Sequence, residues 1–165
     1  MPKKALYTGS FDPVTMGHLD IIRRSSRLCE HLVVGVIRNP QKTSTFTEEE
    51  RMEMIRAATS DIDNISVISF SGLLADYVNS NGFDIVVRGL RGTTDFDSEI
   101  QMAQLHSILY NDNVETIFLM TSPEYSFISS SMVKEVYSLG GDVTKLVDKS
   151  VLDLMNKKFK RREEK

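Results

Sequence analysis

The sequence predicts an α/β protein: a doubly wound sheet of five parallel strands with flanking helices. Three observations predict it. Five short apolar runs, most of them rich in β-branched residues, recur along the 165 residues. Segments with helical spacing and capping signals separate them. Unusual polar residues collect just after four of the runs. Strands that alternate with helices form a mainly parallel sheet, and its ligands sit at the carboxyl ends of the strands.

Ala5-Leu6-Tyr7 is the first strand. A helix from near Gly17 to about Cys29 carries Leu19, Ile22 and Ser26 on one face. Leu32 to Ile37 is continuous and β-branched, as a strand buried on both faces would be. Thr47 then caps a second helix, with Glu50 three residues on completing a capping box before Met52, Ile55 and Ala58. Ile65 to Phe70 is the third strand. The helix from Leu73 to Ser80 stops at Asn81-Gly82, a left-handed cap signal. Ile85-Val86-Val87 is the fourth strand, followed by a helix over about Asp95 to Tyr110. Thr116 to Met120 is the fifth. A helix then starts within Ser129-Ser130-Ser131 and ends at Leu139-Gly140-Gly141, and a last one covers Lys149 to Lys160. No linker, repeat or low-complexity stretch interrupts the chain. Residues 1–165 therefore read as one domain, with 147–165 as a C-terminal helix and charged tail.

Composition narrows the function. The hydrophobic fraction is an ordinary 41%, and no apolar run reaches the ~18 residues of a membrane span. Met1-Pro2-Lys3-Lys4 leads straight into a strand, without the apolar region of a signal peptide. One cysteine, Cys29, permits no intramolecular disulfide, which fits a cytoplasmic home. A net charge of −3 argues against gripping long nucleic acid. The basic run Lys157 to Arg162, broken by Phe159 and closed by Glu163-Glu164-Lys165, reads as a solvated helix end.

Four loops carry chemistry. Thr8 to His18, TGSFDPVTMGH, combines Gly9 for close backbone approach, a Ser10 hydroxyl, an Asp12-Pro13 turn and Gly17-His18 at a helix start. Free amides and the macrodipole attract phosphate there. His18 is either a donor to phosphate or a plain helix cap. Arg38-Asn39-Pro40-Gln41-Lys42 follows the second strand, and Lys42 taken alone reads as a surface lysine. Arg88-Gly89-Leu90-Arg91-Gly92 follows the fourth strand. Its arginines read as a bidentate phosphate clamp, with pairing to Asp95, Asp97 and Glu99 as the alternative. Tyr125 to Ser131 follows the fifth, with one serine more than a helix cap requires. Those hydroxyls and amides suit another phosphate, or capping alone. His31, His106, Cys29 and the methionines read as structural.

Thr15-Met16-Gly17-His18 resembles the T/HxGH signature of the nucleotidylyltransferase superfamily, and Ile128-Ser129-Ser130-Ser131 resembles its second signature. GSFDPVTMGHLDII, FTEEER, RGLRGTTDFDSE and YSFISSSMVKEV together resemble the bacterial phosphopantetheine adenylyltransferase family, from about Lys4 to Leu146. The resemblance implies a Rossmann-like hexamer that transfers the adenylyl group of ATP to 4'-phosphopantetheine. Mg²⁺ would be held mainly through the ATP phosphates, and coenzyme A would bind as a feedback inhibitor. It also implies the site. His18, Lys42 and Arg91 would be catalytic, and Ser10, Lys42, Leu74 and Arg88 would bind phosphopantetheine. Ser10, Phe11, His18, Gly89, Leu90, Arg91, Glu99, Tyr125, Ser126, Phe127, Ile128, Ser129, Ser130 and Ser131 would bind ATP. Thr8, Ser10, Gly92, Ser98 and Tyr125 stand where other residues are common in the family, and Gly92 and Ser98 leave the shape of the ATP side open.

The residues agree with a direct in-line transfer that rests on positioning and electrostatics. A related transferase with another phosphorylated acceptor, a nucleotide-binding module and an RNA-binding fragment are the rival readings.

Overall fold

The structure, a computed structural model, describes residues 4–111 and 113–163. Met1-Pro2-Lys3 and the closing Glu164-Lys165 of the tail lie outside the described residues. Five parallel strands, β1 (Lys4–Gly9), β2 (His31–Arg38), β3 (Ile65–Ser71), β4 (Ile85–Leu90) and β5 (Glu115–Met120), stand in the order β3-β2-β1-β4-β5. The helices are α1 (Met16–Ser26), α2 (Glu48–Ala58), α3 (Leu74–Asn81), α4 (Thr93–Leu109), α5 (Ser130–Ser138) and α6 (Lys149–Glu163). A 3-10 turn at Pro123–Tyr125, absent from the sequence reading, precedes α5.

Alternation along the strands sorts the core into two layers. Ala5, Tyr7, Leu32, Val34, Val36, Ile85 and Val87 face α1, α2, α5 and α6. Leu6, Val33 and Val86 face the smaller layer under α3, with Phe70, Leu74, Val78 and Phe83. α4 lies beside α3 and leaves Phe96, Met102, Leu105, Ile108 and Leu109 exposed.

Local signals set most boundaries. Thr47 accepts from the Glu50 amide while the Glu50 carboxylate accepts from the Thr47 amide, as its capping box predicts. Gly82, at φ 63°, closes α3 in the left-handed conformation that favours glycine. Several boundaries differ from the sequence reading, two of them for visible reasons. α1 ends at Ser26 instead of Cys29, because the Arg27 amide turns back to the Arg24 and Ser25 carbonyls. β4 runs three residues further than its β-branched core, because β5 pairs with it through Leu90. Arg88, Gly89 and Leu90 are therefore strand residues, and the loop begins at Arg91.

Candidate active site

The strand order reverses direction between β1 and β4. Open α/β sheets leave a crevice outside the strand ends at such a switch point. A cavity of about 390 Å³ lies there. Thr8, Gly9 and Ser10 reach it from β1, Gly17 and His18 from the start of α1, and Arg88, Gly89 and Arg91 from β4. Thr121 after β5 and Ile128 to Ser131 ahead of α5 complete the wall. All four residues of the second signature, and the Gly-His pair of the first, thus meet around one space.

His18 is both a cap and a free donor. Its Nδ1 accepts from the Thr15 amide at 3.1 Å, while its own amide donates to Thr15 Oγ1 at 3.4 Å. A ring nitrogen that accepts is unprotonated, so the hydrogen-bond network assigns the neutral ring's proton to Nε2. Burial, and then the nearby Arg91 charge, push the His18 pKa down from 6.5 to about 4. The ring is therefore neutral at pH 7 and has one N–H to give. Phe11 fixes its tilt, edge to face at 5.0 Å. Phe11 stands at φ 47°, a costly value for a non-glycine residue. Gly9 makes room for that ring: a Cβ there would lie 3.1 Å from it. The glycine thus serves the fold itself.

The two arginines have the carboxylate partners that the sequence left open. Arg88 donates to Glu99 through Nε at 2.7 Å and Nη2 at 3.0 Å, a bidentate pair, and Nη1 lies 3.5 Å from Thr8 Oγ1. Arg91 donates to Asp95 at 3.2 Å and to the Ile128 carbonyl at 3.3 Å. The carboxylates aim both guanidinium groups along the cavity wall. Glu99 lines that wall too, but its two oxygens are engaged by Arg88. Two of the three serines are likewise occupied. Ser129 Oγ caps α5 by accepting from the Met132 amide, and Ser130 Oγ donates to the Pro13 carbonyl at 2.7 Å. Ser131 is exposed at the cavity edge.

Several expected residues stand elsewhere. Lys42 is exposed and lines a separate shallow cleft with Arg38 and Arg51. Leu74 is buried in the smaller core, and Phe11 and Leu90 are buried outside the wall itself. Tyr125 and Ser126 belong to the 3-10 turn and its cap, where Ser126 Oγ donates to Pro123, and Phe127 is exposed.

Sequence reasoning missed Asp12. Its buried carboxylate accepts from the Thr45 amide at 2.9 Å, the Phe46 amide at 2.8 Å and Lys134 Nζ at 3.0 Å. It therefore ties the Lys42 loop and α5 to the loop after β1. Burial pushes the Asp12 pKa up, but the two amides and Lys134 outweigh it and hold it below the ordinary value. The aspartate before Pro13 had a turn role at hand, which hid this one. Asp20 was missed too; it receives the Ser122 amide and hydroxyl and so moors the segment after β5 to α1.

Among the described residues, no group of three or more His, Cys, Asp or Glu side chains could hold a metal. No described helix is long and apolar enough to cross a membrane.

The Cytidylyltransferase-like family profile matches residues 6–136. Three curated relatives carry the name phosphopantetheine adenylyltransferase. The protein of Lachnoclostridium phytofermentans is 45% identical over 157 residues, 95% of this chain and 96% of that one. The protein of Heliobacterium modesticaldum is 49% identical over 155 residues, 94% and 92% of the two chains. That of Synechocystis is 49% identical over 148 residues, 90% and 92%.

Proposed function

The chain belongs to the cytidylyltransferase-like family, among its phosphopantetheine adenylyltransferases, and we propose from this how its cavity works. The enzyme transfers the adenylyl group of ATP to 4'-phosphopantetheine, giving dephospho-coenzyme A and pyrophosphate. In our reading, a phosphate oxygen of phosphopantetheine attacks the α-phosphorus of ATP in line. One P–O bond forms as the bond to the β-phosphate breaks, and pyrophosphate leaves with that electron pair.

The observation that carries this mechanism is the state of His18. Among the described residues its Nε2–H has no acceptor while its Nδ1 is engaged, so it donates and does not serve as a base. The serines of the wall then lack a base in His18, which disfavours an adenylyl-enzyme intermediate. Charge on the non-bridging oxygens and on the leaving pyrophosphate is met by the His18 N–H, by Arg91 and by the amides at the α1 and α5 starts. Ser10 and Arg88 serve the phosphopantetheine phosphate. Lys42 and Leu74 serve that substrate from outside the cavity wall, on the strength of the family resemblance. The segment from Tyr125 to Ser131, with Phe11, Gly89, Leu90 and Glu99, forms the ATP side on the same ground. Mg²⁺ enters as part of the MgATP substrate, on the strength of the family resemblance.

Coenzyme A shares the phosphopantetheine limb of the substrate, so it competes for the same cavity. The exposed apolar residues of α4 suit subunit contact in a hexamer. A single buried cysteine suits a cytoplasmic home.

The test is pyrophosphate release with ATP, Mg²⁺ and 4'-phosphopantetheine, with nicotinamide mononucleotide as acceptor in a parallel reaction. Release with phosphopantetheine alone, and dephospho-coenzyme A by mass, is the expected result. Release with the mononucleotide alone would replace the acceptor. A labelled covalent adduct formed from ATP alone would overturn the direct mechanism.

A further inference from the structure

Arg51 is the buried cation that none of this uses. It sits in the first turns of α2, 3% exposed. It makes no ion pair with a carboxylate among the described residues. It spends its donors on backbone carbonyls instead. Nη1 reaches the Ser10 carbonyl at 2.7 Å and the Ile37 carbonyl at 3.5 Å, and Nε reaches the Thr47 carbonyl at 3.4 Å. One guanidinium thus joins the turn after β1, the end of β2 and the cap of α2. A buried guanidinium without an anion is an expensive way to fasten three carbonyls. A core packed with apolar side chains would close that corner at less cost.

The strongest of these bonds acts on one peptide unit. The Ser10 carbonyl belongs to the Ser10–Phe11 peptide, which is planar and trans. Its N–H therefore points away from Arg51. Among the described residues the Phe11 amide has no acceptor, although the residue is 2% exposed. Ser10 lines the cavity, so the amide that shares its peptide bond adjoins that space, and an unpaired amide there is a donor held for a ligand. Phe11 also carries the strained φ of 47° and the ring that tilts His18. Holding the Ser10 carbonyl fixes the amide and the ring together.

We propose that Arg51 is a positioning residue: by holding the Ser10 carbonyl at 2.7 Å it aims the Phe11 amide at an anionic phosphate oxygen of ATP. Its charge also lies beneath that loop and favours an anion there. The proposal rests on the reading of the cavity as the ATP site, and the test separates the two. Arg51→Met removes donors and charge, and Arg51→Lys keeps the charge but not the fork.

ATP binding is measured by calorimetry on each full-length variant, beside steady-state kinetics in both substrates. The chain with Arg51 intact serves as the control: if it fails to bind ATP, the site reading fails and Arg51 has no nucleotide to position. Given binding, folded Arg51→Met should lose about 10- to 100-fold in kcat/KM for ATP, with the phosphopantetheine KM within about twofold. Arg51→Lys should recover part of the loss. If Arg51→Met does not fold, Arg51→Lys decides the matter by a weakened ATP affinity at an unchanged melt. A folded variant that binds and turns over ATP like the parent would overturn the proposal. So would equal losses for both substrates, which a merely structural role would produce.

Discussion

His18→Ala removes two different things, and the structure separates them. The first is the Nε2–H, the donor proposed to meet the phosphates of ATP. One preorganised donor to a developing oxyanion contributes on the order of 10²- to 10³-fold in turnover, or ~3 kcal/mol. The second is the acceptor for the Thr15 amide at 3.1 Å. Losing that half of the capping box costs about 1 kcal/mol of stability. The variant should therefore melt a few degrees lower, remain folded and bind ATP, yet turn over at least about 100-fold more slowly. The pH dependence follows from the lowered pKa. The unfolded ring takes up its proton near 6.5, and the folded ring only near 4. Between those values the unfolded state binds more protons, so stability falls as pH falls. The full shift corresponds to roughly 3 kcal/mol. Turnover should show no His18 inflection between pH 6 and 8. Steady-state rates across that range, with ¹⁵N shifts of the ring, test both statements. A loss under about fivefold would remove His18 from the transition state, and an inflection near 6.5 that vanishes in the variant would refute the neutral donor.

Two further outcomes follow from the site. Asp12→Ala strands two amides and Lys134, so it should cost about 2–4 kcal/mol in urea unfolding and raise the phosphopantetheine KM by loosening the Lys42 loop. Because the folded Asp12 pKa is lowered, its contribution is present above the unfolded carboxylate value and should fade as acid is added below it; a variant that matches the parent in both assays would remove the anchor. Glu99→Gln weakens the bidentate hold on Arg88, and should raise KM for phosphopantetheine by about 3- to 30-fold with little change in the melt. An unchanged KM would show that Arg88 needs no carboxylate to aim it.

The fold was legible because its signals are local. β-branched runs, the capping box at Thr47 and Glu50, and Gly82 each fix their own neighbourhood. The end of β4 was not legible, because Arg88-Gly89-Leu90 has weak strand propensity and is held by pairing with β5. The site was legible as a set of loops but not as a set of bonds. The sequence offered His18 as donor or cap, and a ring with two distinct nitrogens is both. It offered the arginines as clamp or ion pair, and Glu99 and Asp95 make them ion pairs that still face the cavity. Asp12 and Arg51 escaped, since most of their partners are backbone groups of segments distant in sequence. No local pattern announces such a bond.

Those distant partners govern when the site forms. Arg88 lies 80 residues beyond Thr8, Ser130 lies 117 beyond Pro13, and Lys134 lies 122 beyond Asp12. Each contact closes a long loop of chain, whose entropy is spent before the contact returns anything. We expect strands and helices to organise first, and the loop after β1 to be fixed only when α5 arrives. A ribosome that has released only β1 to β4 is expected to hold a chain with no working cavity, since α5 and its contacts to the loop after β1 are still missing. In refolding, circular dichroism should therefore recover ahead of adenylyl transfer, and the interval between them is the time the two ends of the site take to find each other.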